Sequence, residues 1–124
     1  MILKEGFAIF TFILLLMNSM VAFADQQDIT AIAKGKELYI SNKCASCHGD
    51  EGKGDGENAE GFDPYPTNFH DIKTYYHGYK ETDVVRSIKL GNKDNANSIM
   101  PPFANLTDQE LKEISSYILS LQKK

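Results

Sequence analysis

Apolar positions fall into one long run near the start of the chain and then into stretches at helical spacing. The run occupies residues 7–17 and is interrupted by Asn18-Ser19. Ile32, Gly35 and Tyr39 lie on one face of a helix predicted over residues 28–41. Gly35 inside that helix is unfavourable by roughly 1 kcal/mol against Ala, so it marks either a close helix contact or a tolerated poor residue. A second helix is predicted over residues 83–90, with Thr82 as N-cap, Lys89 in the last turn and Gly91 past the end. A short turn or helix is read around residues 71–76. The last helix is the best specified. Thr107 and Glu110 form a capping box, Leu106 and Leu111 a hydrophobic staple, and Leu111, Ile114, Ile118 and Leu121 one apolar stripe.

Between residues 49 and 69 the periodicity stops. Five glycines (Gly49, Gly52, Gly54, Gly56, Gly61) with Pro64 and Pro66 leave room only for a loop. Gly52-Lys53-Gly54-Asp55-Gly56 lacks the flanking strand and helix, and the Lys-Ser/Thr pair, of a phosphate cradle. The glycines are read as a tight wrap of backbone around something bulky. No strand alternation, repeat or low-complexity tail is present, so the class is all-α with long irregular loops.

Composition refines this picture at the start of the chain. Lys4 and the terminal amine, the apolar run, and Ala22-Phe23-Ala24 together predict a signal peptide over residues 1–24, cleaved before Asp25. The alternative is an uncleaved anchor, for which residues 7–24 are marginal in length. No Cys ends the run, which excludes lipid attachment there. Lys4 and Glu5 cancel, so residues 25–124 keep the net charge of −4, against a nucleic-acid partner. A domain this small commonly needs a staple. A bridge between two cysteines only three residues apart would supply little of it.

Cys44-Ala45-Ser46-Cys47-His48 is the decisive segment. Cys-x-x-Cys-His is the pattern for covalent attachment of haem c. Two thiols at that spacing reach the two vinyl groups of one porphyrin edge, and the adjacent His is delivered to the iron. A zinc site would need two further ligands, and His70 and His77 form no recognisable second half. A thioredoxin-type motif would need a βαβ pattern, which is absent. For the sixth iron position, Met100 is the sole methionine after residue 24, in Ile99-Met100-Pro101-Pro102-Phe103. A thioether favours ferrous iron, and the prolines stiffen the chain after it. His70 or His77 is the competing sixth ligand.

The order of these features resembles a bacterial class I cytochrome c domain with one haem, over residues 29–122. It is carried by a helix with Gly35 and Tyr39, the motif through His48-Gly49, a Gly-rich loop, Pro66-Thr67-Asn68-Phe69, a middle helix, Met100-Pro101 and a final helix with Tyr117. The resemblance implies three to four helices wrapped around one haem, with a close crossing near Gly35 and Tyr117. It implies a proline carbonyl accepting the Nδ1 hydrogen of His48, with Pro64 and Pro66 as candidates and Pro66 preferred. Phe69 and Phe103 are expected to pack on the haem, and Tyr75, Tyr76 or Tyr79 to place a hydroxyl near a propionate.

The expected function is one-electron transfer in a periplasmic respiratory chain, through Cys44, Cys47, His48 and Met100. Its partners would be a redox-protein donor and acceptor, docking transiently on a weakly charged patch around Ala45, Ser46, Ile99, Pro101 and Pro102. Lys43, Lys89 and Lys93 would steer their approach. Two other readings compete: an electron-transfer subunit tethered to one membrane or periplasmic redox enzyme, and a haem ligand sensor or peroxidase-type protein. No general acid/base pair or nucleophile constellation is present, so the chain is not read as an enzyme. A membrane enters only if residues 1–24 are retained.

Overall fold

In the computed structural model, which describes residues 2–92 and 100–122, four helices and one 3₁₀ turn follow one another. They are α1 (Ile2–Ser41), α2 (Ala45–His48), the 3₁₀ turn Ile72–Thr74, α3 (Glu81–Leu90) and α4 (Asp108–Ser120). Among the described residues there is no strand, only an isolated antiparallel bridge between Asn92 and Met100. Lys93 and Ile99, expected in the steering set and the docking patch, lie outside the described residues.

The chain divides into two compact units, Met1–Thr30 and Ala31–Lys124. In the first, backbone helix continues through Asn18-Ser19, where the apolar run ends. Phe10 and Phe12 are exposed. No helix among the described residues is long and apolar enough to cross a membrane.

The second unit holds the core. Tyr39, Phe69, Val84, Ile88, Leu106, Leu111, Ile114, Tyr117 and Ile118 make one cluster, with Met100 and Phe103 packed against it. α3 packs on α4, and the fully buried Ser115 of α4 donates to the Glu81 carbonyl at 3.5 Å. The end of α1 crosses α4 where expected. A Cβ on Gly35 would run into the Glu113 carbonyl, and the Tyr39 and Tyr117 rings meet edge-on at 5.3 Å. Gly35 is therefore a contact residue, and its helix penalty is offset by close packing.

The cap of α4 forms as predicted. Thr107 Oγ1 accepts from the Glu110 amide at 3.2 Å, while Glu110 Oε2 accepts from the Thr107 amide at 2.8 Å. Both staple residues, Leu106 and Leu111, are buried. The start of α3 differs from expectation. It begins at Glu81 rather than Asp83, with Lys80 and not Thr82 at the N-cap. The Asp83 carboxylate accepts from the Lys80 amide at 3.2 Å, so Asp83 serves the helix from its third position.

Candidate functional site

α1 ends in a Schellman-type turn, with Cys44 N–H on the Tyr39 carbonyl and Lys43 N–H on that of Ile40, both at 3.0 Å. The turn places Lys43 in the left-handed region at φ 60°, a position usually given to glycine. This reversal launches α2, a single helical turn carrying Cys47 and His48 with Cys44 at its N-cap.

The glycine-rich loop then closes over that turn. Gly54, Gly56 and Asn58 donate their amides to the carbonyls of His48, Cys47 and Ser46, at 2.7, 3.1 and 2.8 Å. The bulky object inside the wrap is thus the motif's own backbone, whose end-of-helix carbonyls need partners. A Cβ on Gly56 would strike the Ser46 carbonyl, and one on Gly54 the Pro66 carbonyl. Because these loop amides are committed, the loop offers no phosphate cradle.

Cys44, Cys47, His48 and Met100 line one cavity of about 360 Å³. Its apolar wall includes Phe62, Pro64, Val84, Ile88, Phe103 and Ile118. Met100 is brought there by ties to α3: Asn92 N–H donates to the Met100 carbonyl at 2.9 Å and Phe103 N–H to the Ile88 carbonyl at 3.0 Å. Gly91, at φ 67°, lets that segment pass, since a Cβ there would meet the Pro102 nitrogen at 2.7 Å.

His48 Nδ1 bonds the Thr67 carbonyl at 3.1 Å, and its ring stacks on Phe69 with centroids 4.6 Å apart. The acceptor is Thr67, which corrects the expectation of Pro66. The Pro66 carbonyl is turned toward Gly54 instead. Burial lowers the His48 pKa, and the Thr67 bond opposes this. A neutral ring holding its hydrogen on Nδ1 leaves the Nε2 lone pair as the donor atom. Burial pushes the Cys44 thiol up to about 11. Among the described residues, no group of three or more His, Cys, Asp or Glu side chains could hold a metal ion.

Other expected residues sort by position. His77, exposed, lines the cavity. His70 does not, because its Nε2 is bonded to the Glu51 carbonyl at 2.7 Å. Tyr75 donates its hydroxyl to the Phe69 carbonyl at 3.2 Å, while Tyr76 is an exposed cavity residue and Tyr79 is exposed outside it. Phe103 lines the cavity, and Phe69 stands there too, behind the His48 ring. Lys89 forms an exposed ion pair with Asp108 at 2.9 Å, and Lys43 is exposed at the cavity. The Thr67 carbonyl and the loop amides were not identified from sequence, since backbone groups leave no signal in residue type.

Residues 32–122 match the family model for Cytochrome c. The chain is 30% identical over 121 residues to the cbb3-type cytochrome c oxidase subunit CcoP of Helicobacter pylori. That similarity covers 96% of this chain but only 37% of the relative, so the chain spans little more than a third of the relative's length. Among solved structures, it is similar to a chain of the Kuenenia stuttgartiensis reducing HAO-like protein complex Kustc0457/Kustc0458. The TM-score is 0.63 and the identity 32%, over 76% of this chain and 44% of the other.

The cavity fits the cofactor of that family. It joins two thiols three residues apart, an imidazole with one nitrogen already held, a thioether and apolar walls, which is the donor set and surface a haem c needs. Its volume lies within the roughly 300–1,000 Å³ of ligand pockets. The chain belongs to the cytochrome c family, with one Cys-x-x-Cys-His motif and covalently bound haem c as its cofactor.

Proposed function

We propose that this protein is an exported one-electron carrier whose haem c is joined to Cys44 and Cys47 and ligated by His48 and Met100. When bound, the haem supplies an iron that cycles between ferric and ferrous states. The observation that carries the reading is the convergence of these four side chains on one cavity while Thr67 occupies His48 Nδ1. The Thr67 carbonyl fixes the ring and raises its donor strength, and stacking on Phe69 keeps its plane. A filled sixth position favours electron transfer over ligand activation.

The patch beside Cys47, formed by Ala45, Ser46, Pro101 and Pro102, suits brief docking of a redox-protein donor and acceptor, with Lys43 the exposed cation next to it. Residues 1–24 act as the export signal and residues 25–124 as the cytochrome domain, working in a periplasmic respiratory chain.

An optical spectrum of the purified holoprotein tests this. A haem–pyridine assay should report two thioethers, and the ferric form should show a low-spin haem with a far-red sulfur-to-iron charge-transfer band. Met100→Ala should abolish that band and lower the reduction potential. Rapid carbon monoxide binding to the native ferrous protein would overturn the reading in favour of a ligand sensor or peroxidase-type protein. Mass spectrometry should find the chain beginning at Asp25.

A second reading, an electron-transfer subunit tethered to one redox enzyme, is supported by the likeness to an oxidase subunit across 96% of this chain. Residues 1–24 retained on the purified protein, or a stable partner through purification, would favour it.

A further inference from the structure

The segment that carries Cys44, Cys47 and His48 is gripped at both ends by one residue. The Tyr39 peptide carbonyl accepts from the Cys44 amide at 3.0 Å, and the Tyr39 hydroxyl donates to the Gly49 carbonyl at 2.7 Å. Tyr39 is fully buried, and burial holds its phenol well above the usual range, so the hydroxyl keeps its hydrogen. Its ring also stands edge-on to Phe69, which stacks on the His48 imidazole. Tyr39 therefore reaches that imidazole twice, along the chain through Gly49 and across space through Phe69. The bonds from Gly54, Gly56 and Asn58 to the same segment join backbone to backbone, whereas the Tyr39 hydroxyl is a side-chain group that a substitution can remove. The Gly49 carbonyl also accepts from the Gly52 amide at 3.1 Å, so removing the hydroxyl still leaves it a partner.

We infer that Tyr39 is a positioning residue for electron exchange, holding the segment from Cys44 to Gly49 fixed while the haem iron changes oxidation state; the inference rests on the haem placement proposed above. In self-exchange one electron leaves a reduced copy of the protein and enters an oxidised copy, and no bond is made or broken. Exchange is easiest when the surroundings of the ligands are the same before and after, so a pre-organised site loses least to rearrangement. His48 has its Nδ1 on Thr67 and its ring on Phe69, and both its peptide neighbours lie inside the span that Tyr39 closes. Removing the hydroxyl frees one end of this span without touching the cavity, which Tyr39 does not line. The rate of exchange then depends on the Tyr39 hydroxyl, while the potential, set by the ligands and their immediate bonds, does not.

The test compares the wild-type holoprotein with Tyr39→Phe, and takes Tyr117→Phe and Gly35→Ala as controls. Tyr117→Phe removes a hydroxyl from the same aromatic cluster, and Gly35→Ala loosens the same helix crossing while Tyr39 keeps its bond. Line broadening in mixtures of oxidised and reduced protein gives the self-exchange rate, and potentiometry gives the potential. Hydrogen exchange is read by NMR at the Cys44, His48 and Gly49 amides. In Y39F these amides should exchange about fivefold faster, the factor for one net hydrogen bond. Self-exchange should slow severalfold at an unchanged potential, and both controls should keep the wild-type rate. A wild-type rate in Y39F overturns the inference, as does an equal slowing in either control or a potential that moves with the rate. Unchanged amide exchange in Y39F overturns it on its own. If the haem–pyridine assay finds no thioethers in wild type, the haem placement fails, and amide exchange in Y39F still decides whether the hydroxyl holds the segment.

Discussion

His48 and Phe69 lie ring on ring, 4.6 Å between centroids and 22° between planes. Phe69 also meets Tyr39 edge-on at 6.3 Å and Tyr75 at 6.0 Å, so one buried ring joins the His48 imidazole to the end of α1 and to the turn before α3. Phe69→Ala should lower stability by about 3–5 kcal/mol, the range for a deleted core aromatic. Urea unfolding followed by circular dichroism would measure it.

Gly35→Ala sets two effects against each other. Helix propensity favours Ala by about 1 kcal/mol. The added methyl, however, runs into the Glu113 carbonyl, which as backbone cannot rotate away. Overpacking of this kind costs about 1–3 kcal/mol, so the variant should melt below wild type. An unchanged or raised Tm would mean the crossing of α1 and α4 can open at no loss.

Lys43→Gly should raise stability by about 1 kcal/mol, since the left-handed conformation at φ 60° is unfavourable for any residue with a Cβ. Its side chain is exposed, so little packing is lost. A shifted denaturant midpoint with an unchanged slope would register the gain. The same variant should weaken the salt dependence of electron exchange, because it removes the cation beside the cavity.

The cap of α4 makes stability depend on acid. Bonds from the Thr107 amide and hydroxyl hold the Glu110 carboxyl below its usual 4.5. A depressed folded-state pKa stabilises above the unfolded value, and that contribution is lost as the pH falls through the folded value. The Tm gap between wild type and Glu110→Ala should therefore be open at pH 7 and close on acidification below about 4.5. Thr107→Ala should cost about 1 kcal/mol at neutral pH.

These cases also show where the sequence could be read and where it could not. The capping box of Thr107 and Glu110 is local, with both partners three residues apart, so the residue types carry it. The Cys44–His48 motif is local in the same way. The start of α3 was misplaced because Thr82, a good cap by type, competes with Asp83 reaching back to the Lys80 amide. The choice of Thr67 over Pro66 as partner for His48 depends on Gly54 packing under the Pro66 carbonyl, a contact between segments that periodicity does not encode. Gly35 was legible only as a question, and Glu113 across the crossing answers it.

Met100 hangs from the end of α3 by two backbone bonds, one on either side of Gly91: Asn92 to its own carbonyl and Phe103 to Ile88. Among the described residues, the backbone that carries the thioether proposed for the iron is thus tied to the last turn of that helix. Fraying of α3 and loss of the sixth ligand become one event, and the lability of the iron–sulfur bond becomes a gauge of helix opening. A substitution that loosens Ile88 or Gly91, both on the cavity wall, should be read in the ligand-exchange rate before it is read in the melting curve.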